Sequence, residues 1–91
     1  MQNATTNQLR LRILHIEDMK SDAELVERVL KKGNLDFDIE VVDKEEEFVE
    51  KLRTFKPHII LSDHAMPTFN SLRALNIVRN EGLRIPFILI T

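Results

Sequence analysis

The sequence predicts an α/β protein built around a doubly wound parallel sheet. Four short apolar segments alternate along the chain with three longer segments that carry the apolar periodicity of amphipathic helices, in the order β-α-β-α-β-α-β. The helical segments are about 10 to 12 residues long, which is enough for a crossover between parallel strands. At 91 residues, the chain has the length of one small domain.

The first strand and helix occupy the beginning of this pattern. Leu11 to Glu17 is mostly apolar, as expected for a strand that is buried on both faces. Ser21 and Glu24 have the spacing of a capping box and predict a helix start at Ser21. The apolar stripe of this helix consists of Leu25, Val26, Val29 and Leu30. A lysine pair followed by Gly33 predicts its end.

The second strand and helix follow. Asp36 to Val42 alternates polar and apolar residues before it becomes apolar, which favours a strand near the sheet edge. Asp43 has the residue type of an N-cap, and the first turns of the predicted helix carry Glu45, Glu46 and Glu47. The predicted buried stripe consists of Phe48, Val49, Leu52 and Phe55. Pro57 ends the segment.

The third strand, third helix and fourth strand complete the pattern. His58 to Ser62 predicts a buried strand that ends at Asp63, and Ser71 to Asn80 predicts a helix with Gly82 as its C-cap. Its predicted apolar face consists of Leu72, Leu75 and Val78. Phe87 to Ile90 is the last apolar run. In the connecting loop, Met66, Pro67 and Phe69 are expected to pack on the sheet rather than to contact a partner.

Composition excludes several classes of function. The chain is 43% hydrophobic and 31% charged with a net charge of -2, which is typical of a soluble globular domain. It has no cysteine for a thiolate metal site or nucleophile, and no Trp or Tyr for base stacking, so direct nucleic-acid binding is not expected. No apolar run is long enough to span a membrane. We expect a cytoplasmic protein whose residues 1–9 form a disordered tail.

Acidic residues follow two of the predicted strands. Glu17 and Asp18 follow the first strand, and Asp63 follows the third. If these strands are neighbours, the three carboxylates converge at the carboxyl edge of the sheet, where ligands bind in doubly wound folds. Carboxylates so close together need a cation or a raised pKa. A hard divalent ion such as Mg²⁺ is the natural ligand of such a cluster.

Three motifs in order give the chain a family resemblance. Residues 13–18 read Ile-Leu-His-Ile-Glu-Asp, residues 59–67 read Ile-Ile-Leu-Ser-Asp-His-Ala-Met-Pro, and residues 85–91 read Ile-Pro-Phe-Ile-Leu-Ile-Thr. From about Leu11 to its end, the chain resembles the receiver domain of two-component response regulators. The resemblance implies a flavodoxin-like parallel sheet.

The resemblance also implies roles for individual residues. Glu17 and Asp18 correspond to the family's Mg²⁺-binding acids, and Asp63 to the metal-binding aspartate that accepts a phosphoryl group from a histidine kinase or phosphotransfer protein. The backbone carbonyl of Ala65 would be a further metal ligand. Thr91 corresponds to the hydroxyl that binds the phosphoryl group in the switch. Such a protein is a phosphoacceptor switch rather than an enzyme in the ordinary sense.

The sequence departs from the family pattern at its end. A full receiver has a fifth strand that ends in a phosphate-pairing lysine, whereas this sequence stops after the fourth strand. We therefore expect residues 10–91 to form a partial receiver domain, truncated after the fourth strand. The alternative is a phosphorylation-incompetent fragment that acts only as an interaction or structural module. The uncovered apolar edge of the fourth strand predicts self-association.

Other arrangements of reactive residues are weaker. Ser62, Asp63 and His64 are the residue types of a hydrolytic triad, but consecutive strand residues point in different directions and no nucleophile elbow surrounds them. A metal-dependent phosphohydrolase would need a second base that the sequence does not offer. The histidines lack zinc-ligand spacing. His15 is expected to be a hydrogen-bonded residue of the sheet, and His64 to shape access to Asp63.

Overall fold

The computed structural model describes residues 10–63, 66–67 and 69–90. In these ranges it contains four strands and three helices in the predicted alternating order. They are β1 (Leu11–Ile16), α1 (Lys20–Lys32), β2 (Phe37–Val42), α2 (Glu45–Thr54), β3 (Ile59–Asp63), α3 (Ser71–Asn80) and β4 (Phe87–Ile90). None of these helices is both long enough and apolar enough to cross a bilayer.

The four strands form one parallel sheet in the order β2-β1-β3-β4. The chain therefore moves outward from β1 on one side to β2, and then returns to the other side of β1 to form β3 and β4. Ile16 at the end of β1 lies opposite Val42 on β2 and Ser62 on β3. This arrangement confirms the doubly wound, flavodoxin-like fold class. It brings the carboxyl ends of β1 and β3 together at one edge.

The main core lies between one face of the sheet and helices α2 and α3. Phe48 of α2 is fully buried there and packs against Phe69, with their ring centroids 5.3 Å apart. The buried cluster consists of Leu14, Ile16, Val42, Phe48, Leu52, Ile60, Met66, Phe69, Ala74, Ile77 and Val78. Met66 and Phe69, which follow β3, belong to this cluster and so pack on the sheet as the sequence predicts, whereas Pro67 is exposed.

Helix α1 packs less completely on the opposite face of the sheet. Val26 and Leu30 line a cleft of about 550 Å³ together with Leu61 of β3 and Ile90 of β4. Ala23 is the buried residue of this helix, while Leu25, within the predicted stripe, is 53% exposed. The stripe is therefore only partly covered.

Two predicted helix starts are wrong by one or two residues. The N-cap of α1 is Met19 rather than Ser21, and the N-cap of α2 is Lys44 rather than Asp43; neither makes a side-chain capping hydrogen bond. A conventional cap does start α3, where Asn70 Oδ1 accepts a hydrogen bond from the Arg73 N–H at 2.8 Å. At the start of α1, the Met19 N–H donates instead to the Glu17 carboxylate.

The predicted apolar face of α3 is also partly wrong. Leu72 is 66% exposed, and the buried residues are Ser71, Ala74, Ile77 and Val78. Ser71 and Ala74 are small, so the helix can present this side to the core. The sequence pattern predicts the buried face at Leu72 instead, because large apolar residues dominate the helical periodicity.

Candidate functional site

Three carboxylates meet at the carboxyl edge of the sheet. One carboxylate oxygen from each of Glu17, Asp18 and Asp63 lies within 4.8 Å of the other two. The reason is the pairing of β1 with β3: Ile16 and Ser62 lie opposite each other, and Glu17 and Asp63 are the next residues along the chain. The structure thus brings together the three acids that the sequence places after the first and third strands.

Glu17 is the buried member of the cluster. Its backbone N–H donates to the Val42 carbonyl at 2.9 Å, which continues the strand pairing, and its Oε2 accepts from the Met19 N–H at 3.2 Å. Burial raises the pKa of Glu17 to about 7; the hydrogen bond from Met19 opposes this rise, and the neighbouring carboxylate of Asp63 adds to it. Glu17 therefore links the cluster to the start of α1.

The other two acids give the cluster access to solvent. Asp18 is exposed, and Asp63 is half-buried at the end of β3. Glu17 and Asp18 line one cleft of about 460 Å³ beside Lys20, and Glu17 and Asp63 line the apolar cleft beside α1. Asp18 and part of Asp63 are therefore exposed to solvent, while Glu17 is shielded from it.

The donor set fits a hard divalent cation. All three groups offer carboxylate oxygen, which is the ligand type of Mg²⁺, and their spacing lets one ion touch several of them. Burial is the main cause of the raised pKa of Glu17, and the negative charge of Asp63 adds to it, so ionised carboxylates at this edge repel each other. A bound cation would relieve this repulsion.

Some residues predicted to belong to the site lie outside the described residues. These are Ala65, with its backbone carbonyl, Thr91, and His64. Ser62 is described and fully buried, and its hydroxyl donates to the Asp63 carbonyl at 3.4 Å. A buried Ser62 offers no exposed hydroxyl for the hydrolytic triad, in agreement with its rejection on sequence grounds.

His15 lies in the sheet as the sequence predicts, but the hydrogen bond expected of its side chain is not found within the described ranges. It is fully buried in β1, but within the described ranges neither ring nitrogen has a hydrogen-bond partner. Its Nε2 lies 3.9 Å from Glu17 Oε1. The sequence does carry one sign of this contact. His15 is a polar residue inside an apolar strand and precedes Glu17 by two positions, so the two side chains lie on the same face.

Comparisons with known proteins agree with this geometry. The family model for the response regulator receiver domain matches residues 13–91. A solved structure described as a response regulator signal receiver domain from Bermanella marisrubri superimposes with a TM-score of 0.77. It is 26% identical over 91% of this chain and 69% of that chain. No curated protein matched. With the fold, the acid positions and the family match in agreement, the chain belongs to the response regulator receiver domain family.

Proposed function

We propose that this chain is a phosphoacceptor switch, in which Asp63 takes a phosphoryl group from a histidine kinase or a phosphotransfer protein in the cytoplasm. The observation that carries the proposal is the meeting of Glu17, Asp18 and Asp63 within 4.8 Å at the carboxyl edge of a doubly wound sheet. The family match supports a phosphodonor as partner.

In this proposal, Glu17, Asp18 and Asp63 hold Mg²⁺, and the backbone carbonyl of Ala65 is a further ligand. The all-oxygen donor set and the short separation of the three carboxylates support this assignment. When bound, Mg²⁺ supplies the positive charge that offsets repulsion between the carboxylates and the incoming phosphate.

Asp63 provides the nucleophile. A carboxylate oxygen of Asp63 forms a bond to phosphorus while the bond from phosphorus to the donor's imidazole nitrogen breaks, and that nitrogen leaves with the electron pair. The new phosphoryl oxygens are acceptors for the Thr91 hydroxyl. A change in the segment that carries Thr91 would then report phosphorylation to a partner. This chemistry is one transfer followed by a conformational change, not ordinary turnover.

Intact mass spectrometry after incubation with acetyl phosphate and Mg²⁺ tests the proposal. We expect the unmodified chain to gain the mass of one phosphoryl group, and Asp63→Asn to gain none. Asp22→Asn is a matched control, because Asp22 lines the neighbouring cleft but lies outside the three-acid cluster. If the unmodified chain gains no phosphate, the chain is instead an interaction module without phosphoryl chemistry.

We also propose that two copies associate through β4. This strand forms one edge of the described sheet and pairs there with β3, and its Ile88 and Leu89 are exposed. An apolar edge strand offers backbone N–H and C=O groups on which a second chain can add a strand. A second copy presents the same edge and satisfies these groups reciprocally.

A further inference from the structure

His15 lies at the centre of the sheet in an environment that does not favour a polar side chain. Its neighbours across the strands are Val41 of β2 and Leu61 of β3, and its side chain is fully buried. Within the described ranges, neither Nδ1 nor Nε2 has a hydrogen-bond partner. A buried, unpaired imidazole costs stability compared with an apolar side chain of the same size. Its presence therefore needs a reason other than packing.

The imidazole is directed toward the acidic cluster. Residues 15 and 17 lie on the same face of the strand, and Nε2 of His15 is 3.9 Å from Oε1 of Glu17. Both side chains are almost completely shielded from water. The distance exceeds that of a hydrogen bond by roughly 1 Å, so a small movement of either side chain would close it.

The two oxygens of Glu17 differ in their surroundings. Oε2 accepts a hydrogen bond from the Met19 N–H, whereas Oε1 lies 3.9 Å from His15 Nε2. Burial lowers the pKa of His15, which favours the neutral ring, and a neutral imidazole carries one N–H that can be donated. An ionised, buried Glu17 is stabilised by each additional donor.

We infer that His15 is a positioning residue for the acidic cluster: its Nε2–H donates to Glu17 Oε1 when the cluster holds a divalent cation, and so fixes the orientation of the carboxylate. The inference rests on the proposed function, because it requires a cation at Glu17, Asp18 and Asp63. Hydrogen bonds to metal-ligating groups commonly change metal affinity by about 10- to 100-fold. His15 would act through Glu17 and would not itself touch the ion.

A purely structural role for His15 makes different predictions. If His15 only fills space in the core, a Leu of similar size replaces it without effect on cation binding. If it orients Glu17, loss of the N–H weakens cation binding even though the fold is retained. A Gln at this position keeps an N–H donor and should restore part of the binding. Ile13→Val is a matched control, because Ile13 is buried in the same strand and has no polar group.

The first experiment is a titration of the whole chain with Mg²⁺ by calorimetry. We expect His15→Leu to weaken Mg²⁺ binding by about tenfold, His15→Gln to recover part of this loss, and Ile13→Val to bind as the unmodified chain does. Equal affinities for the unmodified chain and His15→Leu would overturn the inference. If the unmodified chain binds no Mg²⁺, the proposed function fails, and the inference fails with it.

The second experiment needs no variant and so does not depend on whether the variants fold. Long-range ¹⁵N–¹H NMR spectra of the histidine rings are recorded with and without Mg²⁺. We expect the Nε2 proton of His15 to move downfield when Mg²⁺ is added. The ring of His58, whose Nδ1 accepts from the Arg12 N–H at 2.8 Å, serves as the internal reference and should not change. An unchanged His15 ring in a chain that does bind Mg²⁺ would overturn the inference and leave the proposed function standing.

Discussion

Carboxylate oxygens of Glu17 and Asp63, which follow β1 and end β3, lie within 4.8 Å of each other at the carboxyl edge of the sheet. At this separation, two ionised carboxylates repel each other. Burial of Glu17 is the larger cause of its raised pKa, and Asp63 adds to it. The acidic cluster is therefore coupled to pH whenever no cation compensates its charge.

The first prediction concerns the pH dependence of stability without a divalent cation. The pKa of Glu17 rises from 4.5 to about 7 on folding, so between these values the folded state keeps a proton that the unfolded state has released. The contribution of Glu17 to the free energy of unfolding therefore decreases as pH rises from about 4.5 to 7, and is constant outside that window. Urea unfolding in EDTA at several pH values measures it.

The control for this prediction is the Glu17→Gln variant. The difference in free energy of unfolding between it and the unmodified chain cancels the effect of groups that titrate in both. Glu24→Gln removes one exposed acid from α1 and controls for the change in net charge. Excess Mg²⁺ should stabilise the unmodified chain most at the upper end of the window, because the cation binds the ionised cluster. A difference that does not vary with pH would contradict the raised pKa.

The second prediction concerns the two described histidines. His15 is buried without a hydrogen-bond partner within the described ranges, so His15→Leu should raise the free energy of unfolding by about 1 kcal/mol in the absence of metal. His58 accepts a hydrogen bond from the Arg12 N–H, so His58→Leu should lower it by about the same amount. Urea unfolding at pH 7.5 in EDTA measures both changes. If both variants changed the free energy of unfolding in the same direction, hydrogen bonding would not explain the difference between the two histidines.

The third prediction concerns the loop that follows Asp63. Phe69 is buried against Phe48 and anchors this loop to the core. Phe69→Ala should lower the free energy of unfolding by about 3 to 5 kcal/mol, because it leaves a cavity. Phe69→Leu keeps most of the volume and should cost less than about 1.5 kcal/mol. Similar losses for the two variants, measured by urea unfolding, would show that Phe69 does not anchor the loop by packing.

The fourth prediction concerns association through β4. Leu89 is 52% exposed on this edge strand, and a charge there opposes pairing with a second copy. We expect the unmodified chain to show a mass by light scattering that increases with concentration, and Leu89→Lys to remain monomeric. Leu72→Lys is a matched control on α3, away from the edge. A monomeric unmodified chain at high concentration would rule out this association.

Local sequence pattern was sufficient for the order of the elements. Short apolar runs predicted the four strands of the described ranges, and amphipathic stripes predicted the three helices. The two patterns differ because a strand buried on both faces is apolar throughout, whereas a helix buried on one side is apolar every three or four residues. Helix starts were less accurate. Ser21 and Asp43 have the right residue type for a cap, but residue type does not show whether the side chain folds back on the helix, and Met19 and Lys44 occupy the N-caps instead.

The orientation of α3 shows a second limit of pattern. Leu72 is apolar and lies at a spacing that fits a buried stripe, yet it faces solvent, while Ser71 is buried. Which side of a helix is covered depends on the shape of the surface against which it packs. Small side chains such as Ala74 can be the better fit at that surface even though they contribute little to the apolar pattern.

By itself, the sequence determined the alternation of strands and helices, the three acids at strand ends, and the motifs of the receiver family, because these depend on residue type and spacing along the chain. Only the tertiary structure decided that β1 lies beside β3, which brings Glu17, Asp18 and Asp63 within 4.8 Å of one another. It also decided that His15 lies beside Glu17 and, among the residues that the structure describes, lacks the hydrogen bond expected of it. Distances between groups on different strands depend on how the sheet is assembled, and no local pattern encodes them.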